Sequence, residues 1–232
     1  MFQVRHTTLY LRSGRRTEMF LSRVEINPYR RDTASVLSDP QRIHAAVMAS
    51  FPALSPGSDT DRVLWRVDRL GPSTYIIVQS SRRPNFCHIV EQFGWPESGQ
   101  KWDTLEYDDF LSKIKAGQCW RFRIVANPVR SESRHDGTRG KIRPCLSVED
   151  QLMWLSSRSE KLGFTLASEG TGFTVVSREN LSFKHGNSRI SLVRASYEGV
   201  LEVTDPDAFR SALISGIGRG KAYGCGLLTL AR

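Results

Sequence analysis

The feature that most constrains this chain is the order in which two side-chain periodicities follow one another. Phe20–Ile26 (F-L-S-R-V-E-I) alternates apolar and polar residues from Phe20 to Val24, the period of a strand with one buried face. Asn27-Pro28 ends it. Ser38-Asp39-Pro40 then offers a capping side chain and a proline at a favoured first-turn position. Ile43, Val47 and Phe51 recur every four residues, so the spacing predicts a helix over about 40–50. Residues 63–70 (V-L-W-R-V-D-R-L) and 74–80 (T-Y-I-I-V-Q-S) read as two strands of a hairpin, with Gly71-Pro72 at its turn. A short helix is expected over 107–115, closed by Gly117, and a further alternating strand over 118–126. The resulting order, βαββαβ, is that of a ferredoxin-like unit.

The second half repeats that order, though not the residues. Residues 128–144 are rich in Arg, Gly, Ser and Pro and read as a linker or mobile loop. A helix follows over 148–162, with Ser147 as N-cap and Gly163 just past its end. Short strands are expected at 164–167 and 173–177, and one or two more across 189–203. A helix capped by Asp205 runs over 206–214, and a last strand over 227–230. The expected fold is therefore α+β: two tandem ferredoxin-like (βαββαβ, RRM-like) domains. The expected division is an N-terminal extension at 1–18, a first domain at 19–127, a linker or basic loop at 128–146, and a second domain at 147–232.

The 232 residues carry a net charge of +9. Such an excess points to a polyanionic partner, nucleic acid or an acidic membrane surface, with a merely solvated basic surface as the plain alternative. Arg5, Arg12, Arg15 and Arg16 against Glu18 leave +3 in the first eighteen residues and +6 in the remainder, so the basic character does not depend on that stretch. Residues 1–18 read as an upstream start or a flexible basic arm. They contain no continuous apolar segment of a secretory signal. No run of about 18 apolar residues exists to span a bilayer, and no long basic amphipathic helix exists to lie on one. Cys87, Cys119, Cys145 and Cys225 have no paired spacing of a zinc site and read as buried free thiols of a cytoplasmic protein. No metal and no cofactor is expected.

Residues 216–228, G-I-G-R-G-K-A-Y-G-C-G-L-L, hold five glycines: Gly216, Gly218, Gly220, Gly224 and Gly226. Neither familiar phosphate loop fits. For a nucleotide-triphosphate loop, Gly216 and Gly220 are one residue too close, and Ala222 stands where Ser or Thr must follow Lys221. A dinucleotide loop runs from strand to helix, whereas this segment leaves a helix and enters a strand. What remains is a glycine-rich connection bearing Arg219 and Lys221. Its backbone N–H groups can approach a phosphate, or its glycines simply shape a tight turn or bulge. No aromatic RNP1 pattern is present, so ordinary single-strand stacking on the sheet is not expected.

This loop, together with M-F-L-S-R-V from Met19, D-P-Q-R-I-H at 39–44 and W-R-F-R-I-V-A-N-P at 120–128, resembles the CasE family, the CRISPR RNA-processing endoribonucleases of type I-E systems. The resemblance spans residues 19–232. It implies binding of the CRISPR repeat stem-loop and metal-independent cleavage on the 3′ side of the stem. The substrate 2′-hydroxyl would be the nucleophile, and the products a 5′-hydroxyl and a 2′,3′-cyclic phosphate. It also implies retention of the mature guide RNA within the type I-E surveillance complex.

Such chemistry needs a base, an acid and cations around the phosphate. His44 stands at the position matching the family's catalytic histidine, and Lys221 matches its glycine-loop lysine. A lone helix histidine is otherwise more often structural. His6 lies in the extension, and His88, His135 and His185 are expected in loops or a basic hairpin. The family often carries a tyrosine one helical turn before the histidine; here it is Gln41, which cannot serve as an acid. Either His44 acts with Lys221 alone, or another group such as Tyr223 or Tyr29 substitutes. The RNA-binding residues are expected in two basic stretches and the glycine loop: Arg134, Arg139, Lys141 and Arg143; Lys184, Arg189 and Arg194 around a Gly186-Asn187 hairpin tip; and Arg219. The rival reading from another class is a non-catalytic RNA-binding or structural subunit of a CRISPR ribonucleoprotein, which Gln41 favours and His44 with Lys221 disfavours.

Overall fold

The computed structural model describes residues 18–51, 62–95, 102–132, 140–166, 172–186 and 188–232. The first half contains β1 (Phe20–Ile26), α1 (Arg31–Leu37), α2 (Pro40–Met48), β2 (Leu64–Leu70), β3 (Ser73–Ser80), α3 (Cys87–Phe93) and β4 (Trp102–Glu106). Its strands form an antiparallel sheet in the order β2-β3-β1-β4, the ferredoxin-like arrangement. α2 begins as its sequence dictates: the Asp39 carboxylate accepts from the Gln41 backbone N–H at 2.9 Å, with Pro40 in the first turn. Such a cap is worth about 1 kcal/mol. Ile43 and Val47 drop from α2 into a core shared with Val24, Ile26, Trp65, Ile76, Val78 and Ile89.

The second half contains α4 (Asp108–Ser112), β5 (Cys119–Ala126), β6 (Val129–Glu132), β7 (Lys141–Pro144), α5 (Val148–Ser159), β8 (Phe164–Leu166), β9 (Phe173–His185), β10 (Ser188–Val203), α6 (Pro206–Ser215) and β11 (Leu228–Ala231). Ser147 caps α5, Gly163 closes its final 3-10 turn at φ 80°, and Asp205 caps α6 through two backbone N–H groups. The sheet order is β11-β5-β10-β8, with β9 also on β10, so the strand order of the first unit recurs.

Several sequence expectations change. The strand at 118–126 does not complete the first sheet. β5 pairs instead with β10 and β11 in the middle of the second, so the division expected at 127 does not separate the two sheets. The first sheet is completed by β4, and its second crossover helix is α3; the helix near 107–115 packs Tyr107, Leu111 and Ile114 into the second core. Residues 128–144 are not wholly loop, because β6 and β7 pair as a two-stranded ribbon around residues 133–139, which lie outside the described set. The short strand at 173–177 is the start of a 13-residue strand in a long β9–β10 hairpin. Cys145 and Cys225 are buried as expected, whereas Cys87 and Cys119 are exposed.

The two units are joined by more than apolar contact. Leu64 and Ile77 of the first sheet meet Leu227 of the second unit. Beside them Arg66, 2% exposed, finds an acceptor for each of its five N–H donors. Nε and Nη2 clasp Asp68 at 2.8 and 2.6 Å, Nη1 reaches the Arg123 and Leu227 carbonyls, and Nη2 reaches Thr229 Oγ1. Removing a guanidinium from water is costly, and full pairing offsets that cost only in one geometry, so the network fixes how the units dock.

Candidate functional site

The glycine segment is a device of the interface. All five of its glycines have positive φ, and three make approaches that a side chain would forbid, Gly226 among them with the Ile217 carbonyl oxygen 2.9 Å from where its Cβ would stand. At Gly216, which ends α6, a Cβ would stand 2.8 Å from a Leu64 methyl; at Gly224 it would stand 2.8 Å from the Trp65 ring. Leu64 and Trp65 are adjacent in β2 and point to opposite faces. The loop therefore straddles the outer strand of the first sheet, an edge left open by the strand order. Backbone bonds hold it: Ile217 N–H donates to Gly226 O, Gly226 N–H to Val125 O, and Arg219 bridges to Asn127 at the end of β5. Burial pushes the Cys225 thiol up to about 12, so it serves as packing.

Between Gly220 and Gly224, residues 221–223 make a single 3-10 turn that packs against α2 and β2. The helix bearing His44 and the turn bearing Lys221 are thereby in contact across the two units. His44 is half-buried. Its Nδ1 is buried without a hydrogen-bond partner among the described residues, and burial lowers the imidazole pKa from its ordinary value. It is thus a neutral proton acceptor at physiological pH. Lys221 Nζ donates to the Ser215 carbonyl at 2.7 Å, and its side chain crosses Gly226. Burial, and then the neighbouring Arg62 guanidinium, lower its pKa. A neutral imidazole on one element and a lysine on the element that packs against it are the residue types that can deprotonate a hydroxyl and steady a phosphate.

The other histidine expectations shift. His88 lies on α3 rather than in a loop, with Nε2 2.9 Å from the Ala46 carbonyl of α2. His6 and His135 lie outside the described residues, as does the side chain of His185. Of the two tyrosines, Tyr29 is 84% exposed, whereas Tyr223 sits in the Lys221 turn with its ring edge-on to Phe183 of β9 at 4.9 Å. Gln41 occupies the first turn of α2, half-buried.

The basic residues divide. Gly186, at φ 57°, lies at the expected hairpin tip, with Lys184 paired to Arg189 across it. Arg189 is exposed and donates to Ser182 Oγ at 2.6 Å. Arg194 lies lower on the hairpin, mostly buried and ion-paired with Glu179 directly opposite, close to Cys225 of the glycine loop. On the β6–β7 ribbon Lys141 is exposed and Arg143 pairs with Glu132 at 3.0 Å. Arg219 is exposed beside the turn. Arg134, Arg139 and the side chain of Lys184 lie outside the described residues.

Sequence reading missed Arg62 and Gln79, which tie the first unit to the end of α6. Gln79 Nε2 donates to the Leu213 and Ile214 carbonyls, and Arg62 Nη1 to the Ser215 carbonyl at 3.4 Å. No periodicity marks either residue as a bridge.

Two ferredoxin-like units docked through a glycine-rich loop, with the helix that carries His44 and the turn that carries Lys221 in contact at the seam, define a tandem ferredoxin-like protein. The family model described as CRISPR associated protein matches residues 19–232, and the chain belongs to that family. It is 28% identical over 229 residues to CRISPR-associated endoribonuclease Cse3 of Thermus thermophilus, across 92% of this chain and 100% of that protein. It is 27% identical over 163 residues to CRISPR system Cascade subunit CasE of Escherichia coli, across 66% of this chain and 79% of that one. The structure of Thermus thermophilus Cse3 bound to an RNA representing a pre-cleavage complex aligns with a TM-score of 0.75 at 25% identity, covering 93% of this chain and 100% of that one.

Proposed function

We propose that this protein is the endoribonuclease that binds the stem-loop of CRISPR repeat RNA, cuts the precursor into guide RNAs and remains with the product in the surveillance complex. Its relatives are named for that endoribonuclease activity and for membership of Cascade. The observation that carries the reading within this chain is the contact between the His44 helix and the Lys221 turn. His44, neutral in its half-buried setting, takes the proton of the substrate 2′-hydroxyl. The hydroxyl oxygen then attacks the adjacent phosphorus, the P–O5′ bond breaks, and a 2′,3′-cyclic phosphate and a 5′-hydroxyl result. Lys221 holds the charge that builds on the phosphorane. Tyr223, in the same turn, is the better placed of the two tyrosines to protonate the leaving oxygen.

The β9–β10 tip at Lys184 and Arg189, the β6–β7 ribbon with Lys141 and Arg143, the stretch bearing Arg134 and Arg139, and Arg219 supply the phosphate grip, while Arg194 supports it from beneath. The chemistry draws on no metal and no cofactor. No helix among the described residues is long and apolar enough to cross a membrane, and with four free thiols the cytoplasm is the setting we assign.

The deciding experiment is incubation of the protein with a labelled stem-loop from its own repeat, with and without EDTA, followed by analysis of the product ends. Cleavage that persists in EDTA and leaves a cyclic phosphate is expected. Tight binding without cutting would instead select a purely structural RNA-binding subunit, and cutting lost in EDTA but restored by magnesium would overturn the mechanism.

A further inference from the structure

The end of α6 gathers more positive charge than its geometry requires. The last carbonyls of a helix lack intrahelical donors. Here Ala212 O accepts from Gly216 N–H, and the Leu213 and Ile214 carbonyls accept from Gln79. One neutral donor would complete the set at Ser215. Instead two cations converge on that oxygen, Lys221 Nζ at 2.7 Å and Arg62 Nη1 at 3.4 Å, so their nitrogens lie no more than about 6 Å apart, well within range of mutual repulsion. Among the described residues, no carboxylate forms an ion pair with either, and the lysine is destabilised by burial and by the arginine. The cations come from different units: Arg62 lies two residues before the start of β2, and Lys221 lies in the turn that packs on β2 and α2. A backbone carbonyl cannot neutralise two charges, whereas a phosphate can bridge two nitrogens at this spacing.

We propose that Arg62 is a second phosphate-holding cation of the site, forming with Lys221 a two-cation clasp for the scissile phosphate, for which the Ser215 carbonyl is the resting acceptor. The proposal rests on the endoribonuclease reading for the identity of the phosphate, but the clasp itself is a claim about an anion. When RNA binds, a non-bridging phosphate oxygen replaces the carbonyl as the shared partner. Both cations then act most strongly as charge accumulates in the phosphorane. The clasp also makes the site depend on correct docking of the two units, since each contributes one cation.

The test compares Arg62→Ala, Arg62→Gln and Arg62→Lys with wild type. Saturated single-turnover cutting of the repeat stem-loop is measured, and affinity is measured on the same RNA carrying a 2′-deoxy at the cut site. Glutamine keeps a donor for Ser215 but loses the charge; lysine keeps the charge. The clasp predicts that alanine and glutamine each slow cutting at least about tenfold while affinity moves less than about threefold, and that lysine restores most of the rate. Arg62→Ala on top of Lys221→Ala should cost less than the product of the single effects. A wild-type rate for Arg62→Gln would reduce Arg62 to a helix-end donor and overturn the proposal.

A second measurement does not depend on cutting: the Lys221 ammonium signal is followed by NMR in lysine-labelled protein titrated with inorganic phosphate. A response in wild type that disappears in Arg62→Ala is expected, and no response in wild type overturns the clasp. If RNA stays uncut while the Arg62-dependent phosphate response persists, the endoribonuclease reading fails and the clasp stands.

Discussion

Gly224 lies against the indole of Trp65, so close that a Cβ would stand 2.8 Å from the ring, at a φ of 77° that side chains rarely adopt. Gly224→Val therefore meets both a clash and backbone strain, of which the strain alone costs on the order of 1–3 kcal/mol. The variant should unfold at lower denaturant and cut slowly even with Lys221 intact, because the Lys221 turn loses its seat on β2. Chemical denaturation followed by tryptophan fluorescence, alongside single-turnover rates, checks this; wild-type values in both would remove the loop from any positioning role.

His44→Ala should lower the saturated cutting rate about 10²–10⁴-fold, the usual worth of a general base or acid, and leave RNA affinity nearly intact. A variant that cuts at the wild-type rate would take His44 out of the reaction.

The pH profile follows from the direction of two shifts. Burial lowers the pKa of His44, so the base stays unprotonated down to a pH below the ordinary histidine value, and the rate rises through that point. Burial and Arg62 lower the pKa of Lys221, so the phosphate-holding charge is lost at a pH below the ordinary lysine value, and the rate falls there. A plateau across neutrality is expected, bounded by an acid limb that His44→Ala abolishes. An acid limb unchanged in that variant would assign it to another group.

RNA affinity should fall steeply with salt, because each phosphate contact releases counterions. Arg189→Glu, at the exposed hairpin tip, should flatten the slope of log K against log salt by about one contact. Arg194→Glu is expected to behave differently: it would place a second carboxylate opposite Glu179 and destabilise the hairpin rather than change the slope. Equal flattening in the two variants would place Arg194 on the RNA.

Asp68→Ala would strand the buried Arg66 guanidinium and should cost about 3–5 kcal/mol in urea denaturation. Replacing both residues by apolar ones of similar size should recover much of that loss. A single variant as stable as wild type would show that the pair contributes little to docking.

Much of the fold was legible in the residues. β1, α2, the β2–β3 hairpin, α5 and α6 all begin or end on caps and turns that local chemistry dictates, and Gly186 falls at the hairpin tip where expected, Asn187 lying outside the described residues. α3 and β4 were not legible for physical reasons. α3 is seven residues long and has no side-chain cap bond. β4, W-D-T-L-E, is an outer strand with three of five residues exposed, so it lacks the alternation that burial imposes. β5 alternates well, but alternation reveals a buried face and not which strands flank it; its partners lie more than sixty residues further along. In the site, glycine density marked the loop and the family pattern marked His44 and Lys221. The contacts of Gly216 and Gly224 with β2, like the approach of Arg62 to Ser215, join residues some 150 positions apart and have no local signature.

The placement of β5 also governs the order in which the molecule can be built on the ribosome. The first sheet is complete once Glu106 has emerged, and its strands need nothing downstream to pair with one another. β5 follows soon after but must wait for β10, and then for β11 at 228–231, before both its edges are covered. Until then, an apolar strand and the open edge of β2 are exposed together on a nascent chain. The same late segment that closes the second sheet also delivers the Lys221 turn to α2, so the seam between the two units cannot form until that segment has been made.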